Sequence, residues 1–461
     1  MNSGSRGPGL DARTAEGQGA SDDPVPIPRK ADGGGLRARA WRALCAAWKL
    51  GFGALCGMSF LGSLLVVGWA QRAARREVVK SWWKRSTVRR NCLGFAEFAE
   101  ADGRTAGLAH WPDWFLGGPE AAPLAGGRAA ATDGAPSLGS DDVAFASPSP
   151  SRSWIRRWTG SFGLNLKLGI QAAFNTSVVL LPGGLLWAFA WYAGWQNSFN
   201  KGYENAAIGP STFALGILLF AGAMFYLPMA QARQASTGDW REFYRFKLVW
   251  KVARRGWIAA FALAVLALLL AFPMGVFRAL PLGFPGMDAS LLDLSATGQL
   301  RWIRRYYYFT ALYGVPAFVL FRLMAARVYA GAICGAVQSG AISEEDLADG
   351  EWETLHRLGL LRPVPAPAPA RPLLVKMLAW LATRTGRITS AVATFVVWLL
   401  FVFNLMTTEF LHFHVGGRGW WNQPLLQLPW FDYTPKQLKE AAKAEKDGSV
   451  VRRPKPDAEG R

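Results

Sequence analysis

Histidine and cysteine are scarce in this chain, four of each in 461 residues. Cys45, Cys56, Cys92 and Cys334 form no CxxC pair, which excludes a zinc ribbon, a thioredoxin-type motif and a disulfide framework. Carboxylates are outnumbered, 32 Asp and Glu against 51 Lys and Arg, for a formal net charge of +19. There is no Walker loop, no GxSxG, no HExxH and no Gly-rich dinucleotide turn, so neither an enzymatic activity nor a bound cofactor has a basis in motif. What the chain has in quantity is apolar residues, 51% of the total, more than a disordered or collagen-like polymer holds. A basic, Trp-rich chain of this kind is a nucleic-acid binder or a membrane protein, and the placement of its charges decides which.

Six predominantly uncharged stretches are long enough to cross a hydrocarbon core of roughly 30 Å, which takes about 20 apolar residues as helix. They are residues 50–70 (LGFGALCGMSFLGSLLVVGWA), 168–195, 206–229, 256–277, 306–326 and 388–410. Most have no polar face, which separates them from soluble-core helices. The fifth carries Arg322 near one end, where a guanidinium is expected to snorkel to the interface. Tryptophan usage agrees, because indole prefers the headgroup level. Trp187, Trp191 and Trp195 share a face at the end of the second run, and Trp420, Trp421 and Trp430 follow the sixth. The expected fold is an all-α integral membrane bundle with about six transmembrane spans and basic amphipathic interfacial helices.

Lys and Arg near the spans orient them. Residues 232–255 hold Arg233, Arg241, Arg245, Lys247, Lys251, Arg254 and Arg255, and are expected on the cytoplasmic side. Residues 152–167 and 371–387, each with four basics, follow them there. Eight basics in 71–90 against five in 30–49 place the N-terminus outside. Inner-face basics meet anionic lipid headgroups, each attracted by about 1 kcal/mol, so the bilayer itself is an expected partner. No soluble domain with a basic groove and stacking aromatics is visible, which excludes nucleic acid. The expected location is the cell inner (cytoplasmic) membrane.

The organisation reads as a disordered tail (1–36), an interfacial helix with the first span (37–70), and a basic cytoplasmic loop with a flexible Ala/Gly/Pro/Ser linker (71–167). A membrane domain with spans two to five (168–341) follows. Residues 342–387 join an acidic patch, SEEDLADGEWE, to a Pro/Ala linker and an interfacial helix, leading to the sixth span (388–410) and a polar C-terminal tail (411–461). The acidic patch is expected mainly as a solvated face, since exposed pairs contribute little; the alternative is that it pairs with the basic loop 233–255. RARAWRALCAAWK, WREFYRFKLVWKVARR and PLLVKMLAWLATRTGR interleave basic residues with Trp or Leu, as amphipathic helices lying at the headgroups do. At an offset of 118, seven identities relate the first run to the second, among them Gly51/Gly169 and Trp69/Trp187, a faint trace of duplication.

Candidate chemistry is sparse. Glu409, His412 and His414 (EFLHFH) are the candidate metal ligands, although His412 and His414 cannot share a helical face. Asn175 and the Pro182-Gly183-Gly184 interruption mark a candidate substrate path, because broken helices line transport sites. Gly53 and Gly57 form a GxxxG face suited to close packing within the chain, to a homodimer or to another membrane protein.

AFNTSVVLLPGGLLWAFAWYAGWQNSFNKGYE (173–204) and PMAQARQASTGDWREFYRF (228–246) resemble a group of uncharacterised bacterial polytopic membrane proteins classed as a domain of unknown function. The resemblance covers under a fifth of the chain; it implies a bacterial inner membrane and no activity or functional residue. The leading functional expectation is a non-enzymatic membrane scaffold, accessory or assembly component. The alternative is a transporter or lipid-handling permease with a site near Pro182 to Gly184.

Overall fold

A helix satisfies its backbone N–H and C=O groups internally, so apolar runs of this length fold as helices. The structure is a computed structural model. The chain divides into Met1–Gly33 and Gly34–Arg461, and the described residues all lie in the second unit. They are 36–90, 94–101, 105–112, 114, 154–190, 208–287, 290–361, 372–410, 423–432, 434 and 436–447. All regular structure among them is helical: α1 (Leu36–Cys56), α2 (Phe60–Arg85), α3 (Phe95–Ala101), α4 (Trp154–Phe189), α5 (Ile208–Thr237), α6 (Phe246–Arg255), α7 (Trp257–Met287), α8 (Ala296–Gln338), α9 (Asp349–Arg357), α10 (Leu373–Phe410) and α11 (Lys436–Lys446), with short 3₁₀ turns and a single α-helical turn at Ser290–Asp293 between. By length and composition α4, α5, α7, α8 and α10 can each cross a membrane, and the chain is an all-α, multi-pass membrane protein. The segments expected at 1–35, 115–153 and 362–371 lie outside the described residues.

The first apolar run differs from expectation. Residues 50–70 do not make one helix, because α1 ends at Cys56 and α2 starts at Phe60. Ser59 caps the second helix by accepting from Gly62 N at 3.0 Å, as a serine N-cap does. The freed carbonyl of Gly57 accepts from Phe431 N at 2.9 Å. The seven identities with the second run therefore straddle a break in one case and the inside of a continuous helix in the other.

Residues 71–85, expected as the start of a basic loop, are instead the second half of α2. Ala70, Ala73, Ala74, Val78 and Trp82 recur at helical spacing and are buried. Trp82 Nε1 donates to Ala330 O of α8 at 3.1 Å. The charge count treated Arg72, Arg75 and Arg76 as lipid-facing, yet Arg72 is buried, and Arg76 donates to the carbonyls of Leu108 and Ala109, both at 3.0 Å.

Helices α2 and α4 approach backbone to backbone. A Cβ on Gly68 would lie 1.8 Å from Asn165 O, and one on Gly169 would lie 1.9 Å from Leu64 O. Each helix thus lays a glycine on the carbonyl of the residue four positions before the other's glycine, the small-residue contact that membrane helices favour. The expected pair, Gly53 and Gly57, takes the intrachain role: Gly53 faces Val315 and Trp114, and Gly57 faces Pro429 O. Around this crossing lies the core, built from α1, α2, α4 and α8 with Trp114, Leu428 and Phe431. The rings of Trp69 and Trp114 stack at 4.9 Å.

Of the three amphipathic segments, α6 is a separate helix that stops at Gly256, with Leu248, Val249 and Val252 buried. PLLVKMLAWLATRTGR instead runs without interruption into the sixth span as one 38-residue helix, α10.

Candidate functional site

Polar side chains converge where α5 meets α4, α8 and the chain after α10. Residues 423–432, expected within a polar tail, form a non-helical segment whose Leu425, Leu426, Leu428 and Phe431 are buried. Gly314 admits it: a Cβ there would lie 2.1 Å from the Phe431 ring. Irregular backbone among membrane helices needs partners supplied by neighbours, and besides the Phe431 N to Gly57 O bond side chains supply them. Gln231 Nε2 donates to Leu426 O at 3.2 Å and to Thr176 Oγ1 at 2.8 Å. Arg322 Nη2 donates to the same Leu426 carbonyl at 2.8 Å. Gln427 Nε2 reaches Ser177 Oγ at 3.2 Å.

Arg322 does not snorkel. It is 4% exposed, its guanidinium lies 4.9 Å from the Phe318 ring centre, and its Nε and Nη1 have no hydrogen-bond partner. The fifth span holds a cation balanced by a carbonyl dipole and an aromatic face, a combination that apolar counting along the chain does not anticipate.

Two residues after Gln231 on α5, Arg233 is fully buried between two carboxylates. Its Nε and Nη2 donate to Glu242 Oε2 at 2.9 and 2.5 Å, and Nη1 donates to Glu351 Oε2 at 3.0 Å. Tyr329 OH donates to Glu351 Oε1 at 2.8 Å, and Ser236 Oγ donates to the same oxygen at 2.7 Å. Arg245 closes the cluster on Glu242 Oε1 at 3.1 Å. The acidic patch is therefore more than a solvated face, since Glu351 is buried while Glu344 and Glu345 remain exposed. This latch joins α5, the 3₁₀ turn Trp240–Tyr244, α8 and α9. In sequence, pairing of the acidic patch with residues 233–255 is the alternative reading, and Arg233 with Glu351 realises it; which Glu is buried is signalled by Glu351, Thr354, Leu355 and Leu358 at helical spacing.

Asn175 belongs to the same region. Its Nδ2 donates to Trp240 O at 3.0 Å and to Gln234 Oε1 at 3.3 Å, while its Oδ1 accepts from Tyr244 OH at 2.9 Å. Burial raises the Tyr244 phenol pKa above its ordinary value, which keeps that donor protonated. Pro182, Gly183 and Gly184 lie two turns away in an unbroken α4. A Cβ on Gly183 would meet Gly216 O at 3.0 Å, and one on Gly216 would meet Gly183 O at 3.1 Å, so Gly183 marks a helix crossing with α5. Asn175 and Pro182, seven residues apart, lie on one side of α4, Asn175 bonded to Gln234, Trp240 and Tyr244 and Gly183 packed on Gly216. Trp187 is buried beside Gly216. Glu409 ends α10 with its side chain outside the described residues, as are His412, His414, Trp191, Trp195, Trp420 and Trp421.

The other conspicuous feature is the start of α10. Leu374, Met377, Leu378, Leu381 and Ile388 line one face, Lys376, Thr383 and Arg387 the opposite one, and all are exposed. A 38-residue helix is about 57 Å long at 1.5 Å per residue, against roughly 30 Å of hydrocarbon. No family model matches this sequence, and no curated protein or solved structure matches it.

Proposed function

We propose that the protein is a non-enzymatic scaffold or assembly component of a bacterial inner membrane, with the end bearing residues 233–255 in the cytoplasm. It presents the first half of α10 to a partner membrane protein. The observation that carries this is the arm formed by residues 372–389, almost all exposed, with Leu374, Met377, Leu378, Leu381 and Ile388 on one face and Lys376 and Arg387 opposite them. Exposed apolar stripes of this extent belong to surfaces that are covered in use. Continuity with the span favours a protein partner over simple anchoring, because a helix lying along the headgroups needs a bend before it turns into the bilayer. The polar interior supports the same role: the Arg233 latch holds the Trp240–Tyr244 turn and α9 against α5 and α8, and Arg322 holds the non-helical segment at Leu426 O.

A photo-crosslinking residue at Leu378, compared with one at Ile258 on a lipid-facing stretch of α7, tests this in intact cells. A discrete protein adduct from position 378 that is absent from 258 is the expected result. Adducts to lipid alone from both positions would reduce the arm to an anchor.

A further inference from the structure

The arm that opens α10 is almost entirely exposed, and its place in the molecule follows from contacts further along the helix. Phe395 stacks on Phe225 of α5 with ring centres 6.2 Å apart, and Asn404 and Thr408 lie against Gly275 of α7. Phe225 is eight residues before Arg233, and Gly275 is eighteen residues past the start of α7, which begins next to α6. The N-terminal half of α10 therefore points toward the end that bears the Arg233 latch, and reaches the level of the latch near Arg387. Residues 373–386 extend about 20 Å further at 1.5 Å per residue.

Charge limits what covers them. Lys376, Arg384 and Arg387 are the charged residues of 372–389. Lys376 and Arg387 lie opposite the apolar stripe, and Arg384 lies at its edge, 5.3 Å from the Trp380 ring centre. Two arms laid side by side would set like charges together, which opposes that pairing. The latch end also carries the opposite sign, because Glu344 and Glu345 in the 3₁₀ turn Glu344–Asp346 and Asp349 at the start of α9 are exposed. Among them Trp352 offers an aromatic surface: it is 39% exposed, stacks on His356 at 5.0 Å and donates from Nε1 to Glu344 Oε2 at 3.0 Å. Glu351, bonded to Arg233 at 3.0 Å, fixes this patch to the latch.

We infer that the occupant of the arm is a second copy of this chain, and that two copies exchange arms. The stripe of each arm lies on Trp352 of the other copy, and its long basic side chains reach round to Glu344, Glu345 and Asp349. Two copies in one bilayer are related by an axis along its normal, so both arms and both patches share a side and the contact is isologous. The inference rests on the reading of the arm as a docking surface and names its partner.

Full-length protein labelled with either of two fluorophores is reconstituted at low density in phosphatidylcholine–phosphatidylglycerol vesicles, and pairing is read by single-molecule colocalisation. The arm variant is Lys376→Glu, Arg384→Glu, Arg387→Glu; the patch variant is Glu344→Lys, Glu345→Lys, Asp349→Lys; all six positions are exposed. Wild type should pair, and each variant alone should pair at least about tenfold more weakly. An equimolar mixture of the two variants should regain pairing, since reversed arm then meets reversed patch and native arm meets native patch. Monomeric wild type, variants that pair as wild type does, or a mixture that regains nothing would each overturn the proposal. In cells, a crosslink from Leu378 to a second copy would support it. A crosslink from Leu378 to a different protein would keep the docking role and remove the second copy as its occupant, whereas adducts to lipid alone would remove both.

Discussion

Replacing Arg233 by Met removes a fully buried cation and leaves Glu242 and Glu351 facing each other across the space it filled. Glu351 is 1% exposed, so its charge has nowhere to go. Breaking a buried ion pair by removing one partner costs about 3–5 kcal/mol, a factor of roughly 10² to 10⁴ in the unfolding constant. Glu351→Gln should cost less, about 1–2 kcal/mol, because Arg233 keeps Glu242 and the amide still accepts from Tyr329. The triple variant Arg233→Met, Glu242→Gln, Glu351→Gln should recover most of the loss, since no uncompensated charge remains. Denaturant unfolding in mild detergent, followed by Trp fluorescence, gives the differences. Hydrogen exchange should place the weakening in 238–245 and 344–357. If Arg233→Met unfolds within about 1 kcal/mol of wild type, or if the triple variant is no better than the single, the latch is not what holds this end.

Gly68→Ala should lower thermal stability, because a Cβ at 1.8 Å from Asn165 O forces α2 and α4 apart, whereas Gly163→Ala, with nothing within 4 Å, should be neutral or slightly stabilising as a helix-interior Gly→Ala change is. Equal melting temperatures for the two would refute the glycine crossing. Arg322→Met loses the bond to Leu426 O but also frees two buried nitrogens of their missing partners, so its melting temperature should stay near wild type. A drop corresponding to more than about 3 kcal/mol would mean that Arg322 is compensated by something beyond Phe318 and Leu426.

Much of the helical plan was legible in the chain, because long runs without a polar face leave few alternatives in lipid. The runs at 206–229 and 256–277 map onto α5 and α7. Less legible were the segments where charge and apolar periodicity disagree. AARREVVKSWW looks like a headgroup segment when its basics are counted, and like a buried helix when Ala73, Ala74, Val78 and Trp82 are followed at intervals of three and four. The bundle obeys the second pattern, because carbonyls and side chains of neighbouring elements satisfy the arginines.

The candidate site was legible in its residue types and not in its contacts. Asn175 stood out as an amide within an apolar run, and it is indeed hydrogen-bonded across helices. Its partners Gln234, Trp240 and Tyr244 lie some sixty residues later, beyond the reach of any local pattern. Hydrophobic patterning thus determined by itself that the protein is helical and crosses a membrane, since solvation by lipid acts on each segment separately. Only the tertiary structure decided which glycines touch, that residues 423–432 return into the bundle, and that Arg233 and Arg322 are buried. Those outcomes depend on groups from distant segments satisfying one another, and no segment carries that information alone.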